Sequence, residues 1–205
     1  MALDVGETLI DETRVWTCWA QELGVTPLTL MAALGAAIAE GDFRGIFTRF
    51  GARDWRALAP AVEARYGGFR SSDLYPDALG AIEGLRRAGY GVAVLANQPL
   101  QRAAELRALG VAPDVMAMSE ELGVSKPDPA FFSRSLELLG GPIPADVAYV
   151  GDRLDNDVRP SAAAGMRAVW IRRGPWAALA TDDPAEAALV VESLDELVRQ
   201  IGEAW

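Results

Sequence analysis

The 205-residue chain contains no histidine, and Cys18 is its one cysteine. Without histidine the chain cannot use a histidine general base, a Ser-His-Asp triad or histidine-ligated zinc. A single thiol excludes a disulfide within the chain and a four-thiolate metal site. An unpaired thiol is typical of a reducing compartment, so we expect a cytoplasmic protein. Any catalysis therefore has to use carboxylates, hydroxyls, an amine or a hard cation held by oxygen.

Positive charge is also scarce. The chain has 19 basic against 29 acidic side chains, a net charge of −10. Such a chain repels phosphate backbones and anionic lipids, so we expect neither a nucleic-acid nor a membrane partner. Lys126 is the lone lysine, and all other basic residues are arginine. Two explanations of the lone lysine are open. It occurs either by chance or at a position where a compact ammonium is required and a guanidinium does not fit.

Long hydrophobic runs are absent. The longest near-apolar run, from Leu28 to Ala39, is too short to cross a bilayer. The chain is 51% hydrophobic and 23% charged, which is the balance of a globular protein. Its length suits one domain with a modest insertion. The oligomeric state stays open between a monomer and a homodimer.

Strand and helix patterns alternate through most of the chain. A short buried strand is predicted to end near Asp4. Further strands are predicted at 91–96, 114–118, 147–151 and 168–171, with a last edge strand near Val190. Helical spacing between them predicts an α/β fold, a doubly wound parallel sheet covered on both faces. Residues 12–74 show helical spacing alone. We therefore expect an α/β core domain of residues 1–11 and 75–205, with a small all-helical domain, 12–74, inserted after the first strand.

Polar residues follow the predicted strands, and the carboxyl ends of parallel strands form the ligand-binding edge of such sheets. The residues expected at that edge are Asp4, Gly6, Glu7, Thr8, Asn97, Lys126, Asp152 and Asp157. Carboxylates with one amine suit a hard divalent cation and a phosphate-like anion. Asp4 is placed to attack phosphorus as a nucleophile, while the metal and the ammonium offset negative charge.

The order of these motifs resembles the haloacid dehalogenase (HAD) superfamily of aspartate-nucleophile hydrolases, over essentially the whole chain. Its four motifs resemble, in order, Asp4–Leu9, Val92–Asn97, Lys126-Pro127 and Gly151–Asp157. The helical insertion resembles the family's helical cap. The resemblance implies a Rossmann-like core and phosphate or halide chemistry.

The resemblance also implies a role for each matching residue. Asp4 would be the nucleophile that forms an aspartyl-phosphate. Mg²⁺ would be held by the Asp4 carboxylate, the backbone carbonyl of Gly6 and Asp152, with Asp157 as a further or outer carboxylate. Lys126 would bridge the Asp4 carboxylate and the phosphoryl oxygens.

Two positions depart from the family pattern. Gly6 stands where family phosphatases usually carry the Asp that protonates the leaving oxygen, and Glu7 replaces the glycine that usually follows. Losing general acid–base help typically costs ~10²–10⁴-fold in rate, although Glu7 could supply a carboxyl from the neighbouring position. Ala96 replaces the usual phosphate-binding hydroxyl, which leaves the backbone N–H of Asn97 as the donor. Thr8 would order the loop after the nucleophile.

Three functions remain open. We favour a Mg²⁺-dependent phosphatase of a small phosphorylated metabolite, weak on alkyl phosphates because of Gly6. A 2-haloacid dehalogenase would need no metal and no acid, because halide leaves unprotonated. A catalytically degenerate binding protein would account for both departures, but the presence of Asp4, Lys126 and Asp152 argues against it.

Overall fold

The computed structural model describes residues 1–181 and 183–204, and the chain divides into two compact units. The α/β unit comprises Met1–Asp11 and Arg70–Trp205, and the helical unit comprises Glu12–Phe69. The helical unit ends at Phe69 and not at residue 74 as expected. The reason is that the segment after it pairs with the first motif: the backbone N–H of Asp11 donates to Asp73 (2.8 Å), and Leu74 forms an antiparallel bridge with Ile10.

The α/β unit is built on a parallel sheet. Its strands are Ala2–Leu3 (β1), Ala93–Ala96 (β2), Val115–Met118 (β3), Ala148–Gly151 (β4), Arg167–Ile171 (β5) and Ala187–Val191 (β6). In the described residues the sheet order is β3-β2-β1-β4-β5-β6, and every neighbouring pair is parallel. The central strands are short apolar runs that are buried along their whole length, as expected when helices cover both faces. The predicted doubly wound fold is confirmed.

The helical unit holds four helices among its described residues: Thr13–Glu22 (α1), Pro27–Ala39 (α2), Gly45–Arg49 (α3) and Trp55–Tyr66 (α4). Thr26 caps α2, because its hydroxyl accepts the backbone N–H of Thr29 at 3.2 Å. Trp19, Phe47 and Trp55 pack together in its core, with ring centroids 4.7 to 6.1 Å apart. Among the described helices, none alone combines the length and apolarity needed to span a membrane; α1 and α2 together meet that test by length and composition, across a bend of 105°.

The remaining helices belong to the α/β unit. They are Ala78–Arg87 (α5), Gln101–Ala108 (α6), Ser119–Leu122 (α7), Pro129–Leu138 (α8), Arg159–Ala163 (α9), Gly174–Leu179 (α10) and Leu194–Ala204 (α11). A π-helical turn, Leu154–Val158, precedes α9. The spacing did not predict α7 or α10, because α7 is a single turn and α10 begins with Gly-Pro, which is typical of a loop.

Candidate active site

Three of the predicted site residues directly follow neighbouring strands. Asp4 follows β1, Asn97 follows β2 and Asp152 follows β4, and β1 lies between the other two strands in the sheet. The backbone N–H of Asp4 donates to Val150 at 2.9 Å, which continues the pairing beyond β1. The sheet therefore brings these residues to one edge, as the parallel arrangement requires.

Lys126 lies between two carboxylates at this edge. Its Nζ is 2.8 Å from Asp4 Oδ1 and 2.5 Å from Asp157 Oδ1, and its side chain has no exposed surface. The ammonium also lies 5.3 Å from the ring centroid of Tyr149, a distance that permits a cation–π contact. Burial disfavours the ammonium, but the two carboxylates outweigh that effect and raise the pKa of Lys126 well above its ordinary value. Lys126 is therefore a fixed positive charge beside Asp4.

Asp157 is held by the turn that carries it. Its Oδ2 accepts the backbone N–H of Arg153 at 3.1 Å. A Cβ on Gly151 would lie 2.5 Å from Asp157 Cγ, so only glycine fits at the end of β4 with Asp157 in this position. Burial raises the pKa of Asp157 to about 6, although the Lys126 ammonium acts in the opposite direction.

Asp152 completes a cluster of carboxylates. Oxygens of Asp4, Asp152 and Asp157 all lie within 4.8 Å of one another, and all three residues are buried. The backbone carbonyl of Asp152 accepts the indole N–H of Trp170 at 2.8 Å. Three carboxylates face one ammonium, so the cluster holds more negative than positive charge. Oxygen donors, burial and this charge surplus fit a hard divalent cation such as Mg²⁺.

Asn97 holds the backbone of Lys126. Its Oδ1 accepts the Lys126 N–H at 2.8 Å, and its Nδ2 donates to the Lys126 carbonyl at 2.9 Å. The sequence predicts a backbone donor at Asn97 and gives no sign of this role of the side chain. An amide matches a peptide group in both directions, so Asn97 fixes the chain from which the Lys126 ammonium reaches Asp4.

The other expected residues have different surroundings. Gly6 bridges to Ile10, and Ala96 is fully buried at the end of β2. Thr8 is also fully buried, and its hydroxyl has no hydrogen-bond partner in the part of the chain that the structure describes. Asp155, which lies in the same turn as Asp157, is exposed, and its carboxylate pairs with Arg153 through two contacts of 3.1 and 2.7 Å.

Glu7 is buried and has an unusual backbone conformation, with φ at 48°. Its Oε2 accepts the hydroxyl of Tyr75 at 2.5 Å. Burial raises the pKa of the Tyr75 hydroxyl above its ordinary value, and the hydrogen bond to Glu7 raises it further. The hydroxyl therefore stays protonated and donates to Glu7.

A second, part-buried cation lies next to this pair, with 8% of its side chain exposed. Arg173 follows β5; its guanidinium lies 4.2 Å from the ring centroid of Tyr75 and donates to the Thr8 carbonyl at 2.8 Å. It also pairs with Asp77, whose same Oδ2 accepts the backbone N–H of Leu194 at 2.8 Å. No sequence pattern predicts Tyr75, Asp77 or Arg173 at this site, since they are isolated residues far apart in the chain and belong to no motif.

Comparison of the sequence with known protein families identifies the family of this chain. The sequence matches the pattern of the haloacid dehalogenase-like hydrolases over residues 1–165. The chain belongs to this family. Asp4, Asn97, Lys126, Asp152 and Asp157 all lie within the matched residues.

Two curated relatives are phosphatases by name. A phosphoserine phosphatase of Thermus thermophilus is 36% identical over 179 residues, which is 85% of this chain and 69% of the relative. A glyceraldehyde 3-phosphate phosphatase of Methanopyrus kandleri is 35% identical over 136 residues, which is 64% of this chain and 58% of the relative.

Solved structures agree with the fold. A HAD phosphatase from Thermococcus onnurineus superimposes with a TM-score of 0.65 at 23% identity, over 98% of this chain and 96% of that one. An L-2-haloacid dehalogenase from Xanthobacter autotrophicus gives 0.69 at 19% identity, over 98% and 97%. Both phosphatases and dehalogenases share the architecture, so these likenesses establish the fold and leave the reaction to the site residues.

Proposed function

We propose that the chain is a Mg²⁺-dependent phosphatase of small phosphorylated metabolites, with Asp4 as its nucleophile. The observation that carries the proposal is the position of the Lys126 ammonium, in contact with Asp4 and Asp157 beside the Asp152 carboxylate. The phosphatase names of the curated relatives support the same reaction class. The helical unit is assigned to the family's cap from its place in the chain after β1.

The metal would be held by the carboxylates of Asp4 and Asp152 and by the backbone carbonyl of Gly6. Asp157 is already in contact with Lys126 and with the backbone of Arg153, so we assign it chiefly to holding Lys126 in place. When bound, the ion supplies positive charge that offsets the charge of the phosphoryl group.

The reaction proceeds in two displacements. A carboxylate oxygen of Asp4 attacks phosphorus, and the bond from phosphorus to the leaving oxygen breaks with both electrons on that oxygen. Water then attacks the aspartyl-phosphate, which releases inorganic phosphate and restores the Asp4 carboxylate. Lys126 stays protonated and donates to the phosphoryl oxygens through both steps.

Gly6 determines which leaving groups depart readily. An alkoxide needs a proton as it leaves, and Gly6 has no side chain to supply one. A carboxylate released from an acyl phosphate needs no proton, and a phenolate needs one far less. We therefore expect the order acyl phosphate, aryl phosphate, alkyl phosphate, with differences within the range of ~10²–10⁴-fold that general acid catalysis covers.

The test is hydrolysis of acetyl phosphate and para-nitrophenyl phosphate with Mg²⁺ and with EDTA. Asp4→Asn should abolish turnover. Lys126→Met should lower kcat by about 10²–10³-fold, the usual cost of removing a preorganised donor. Asp155→Asn is the matched control, because it removes an exposed carboxylate close to Asp152 in the chain and should leave turnover unchanged.

Turnover that persists in EDTA would contradict the role of the metal. No turnover above the Asp4→Asn background on either compound would overturn the phosphatase assignment. Chloride release from 2-chloropropionate in EDTA would then identify a dehalogenase instead.

A further inference from the structure

We propose that Glu7 is a positioning residue, which holds the loop after Asp4 in its productive conformation through buried contacts with Tyr75 and Gly174. It does not replace the acid that Gly6 lacks. The inference rests on the proposed function for its kinetic test, and on the structure alone for its stability test.

The loop at Glu7 needs such support. With φ at 48°, Glu7 adopts the left-handed conformation, which places Cβ too close to its own backbone in any residue but glycine. The family pattern usually has glycine at this position, which adopts this conformation without a penalty. In this chain the turn holds a glutamate, whose backbone N–H donates to the carbonyl of Ile10 at 2.7 Å. Something else has to stabilise it.

The Glu7 side chain supplies that stabilisation. Its carboxylate accepts the Tyr75 hydroxyl at 2.5 Å, and Tyr75 is itself fixed to the loop, since its backbone N–H donates to Leu9 at 2.9 Å. The side chain also packs on Gly174, where a Cβ would lie 2.6 Å from Glu7 Cγ and 2.7 Å from Cδ. Glu7 thus joins the nucleophile loop to the start of α10 and to Tyr75.

Arg173 holds the next residue from the same side. Its guanidinium donates to the Thr8 carbonyl at 2.8 Å and lies over the ring of Tyr75. Two successive loop residues, Glu7 and Thr8, are therefore anchored to the segment that follows β5. This arrangement fixes the backbone that leads away from Asp4.

The two roles of Glu7 predict different orders of activity. If Glu7 positions the loop, Glu7→Gln keeps an acceptor for Tyr75, and Glu7→Gly adopts the turn without support, so both retain most of the kcat. Glu7→Ala has neither an acceptor for Tyr75 nor the conformational freedom of glycine. Its kcat should fall about tenfold, equally on acetyl, aryl and alkyl phosphates. If Glu7 is an acid, all three variants lose activity together, and the alkyl phosphate loses the most.

The first experiment measures kcat and KM of these three variants on acetyl phosphate, para-nitrophenyl phosphate and glycerol 2-phosphate. Retained activity in the Glu7→Gln and Glu7→Gly variants with a uniform loss in Glu7→Ala supports the proposal. An equal loss in all three, graded by leaving group, overturns it. Tyr75→Phe adds a check: it should lower kcat in the wild type and have no effect in the Glu7→Gly background.

The second experiment needs no activity and therefore stays informative if the phosphatase assignment fails. Thermal unfolding is measured for Glu7→Ala, Gly174→Ala and the double variant. Gly174→Ala should lower the melting temperature strongly, because the left-handed backbone at Gly174 (φ 65°) disfavours a side chain and the new methyl also meets Glu7. The double variant should lose less than the two single losses added together, since the Glu7→Ala change removes that collision. Strictly additive losses would overturn the contact and with it the positioning role.

Discussion

Two cations in the α/β unit, the buried Lys126 and the part-buried Arg173, differ in the number of carboxylates around them. Lys126 contacts Asp4 and Asp157, and Asp152 lies close by, so three carboxylates surround one ammonium. Within the described residues Arg173 has one carboxylate partner, Asp77, and it also donates to the neutral carbonyl of Thr8. Around Lys126 the carboxylates outnumber the ammonium, whereas Arg173 and Asp77 form an ion pair of one cation and one carboxylate.

The difference separates a ligand site from a structural pair. Buried charge is costly unless it is compensated within the protein or by a bound partner. At Arg173 the protein supplies the compensation itself, and the pair ties together segments that are far apart in sequence. At Lys126 three carboxylates lie within 4.8 Å of one another in a buried cluster, which favours an additional cation. Surplus charge, more than burial or ion pairing, is the feature that marks the site.

The largest expected effect is on the free energy of unfolding when each cation is removed in turn, and it tests this contrast. Arg173→Met leaves the part-buried Asp77 carboxylate without its partner, and we expect a loss of up to about 3–5 kcal/mol in the free energy of unfolding. Lys126→Met leaves three carboxylates together and should also destabilise the fold in EDTA. Mg²⁺ should restore stability to the Lys126 variant and not to the Arg173 variant. Urea unfolding with and without Mg²⁺ measures both effects.

A rescue of both variants by Mg²⁺ would show that the ion acts generally on this acidic chain. In that case the distinction between the two groups would fail. Asp77→Asn combined with Arg173→Met serves as the control, because removing both charges should recover part of the lost stability.

The sequence was sufficient to predict the fold and the cluster around Lys126. Alternating apolar strands and helices determine a parallel sheet, and the sheet in turn brings residues after neighbouring strands to one edge. Asp4 and Asp152 each follow a predicted strand, so both were expected at this edge, whereas the pairing of β1 with β4 that makes them neighbours is known from the structure. The lone lysine was conspicuous because all other basic residues are arginine.

Side-chain contacts between isolated residues could not be predicted in this way. Tyr75, Asp77 and Arg173 have no periodicity and no motif, and they meet only because the fold brings them together. Glu7 stood out in the sequence as a departure from the family pattern, but its partner Tyr75 did not. The amide of Asn97 matches the backbone of Lys126, a contact that no spacing rule encodes.

Metal binding gives a prediction of intermediate size. An ion that binds the folded state alone stabilises it by about 2.7 kcal/mol at a hundred times its Kd. For a chain of this length that corresponds to a rise in melting temperature of roughly 5–10 °C. Asp152→Asn should remove most of the rise, whereas Asp155→Asn should keep it. A full rise in the Asp152 variant would show that the ion binds elsewhere.

The smallest expected effect belongs to Asn97, which acts on the backbone of Lys126 and not on its ammonium. Asn97→Ala removes two hydrogen bonds to the Lys126 backbone, each worth about 1 kcal/mol. The ammonium remains but its position is less well defined, so we expect kcat to fall about tenfold with little change in KM. Gln98→Ala, at the adjacent residue, should leave kcat unchanged. Equal kcat in the two variants would mean that Asp4 and Asp157 alone are sufficient to hold Lys126, and that surplus charge fixes the site without help from the backbone.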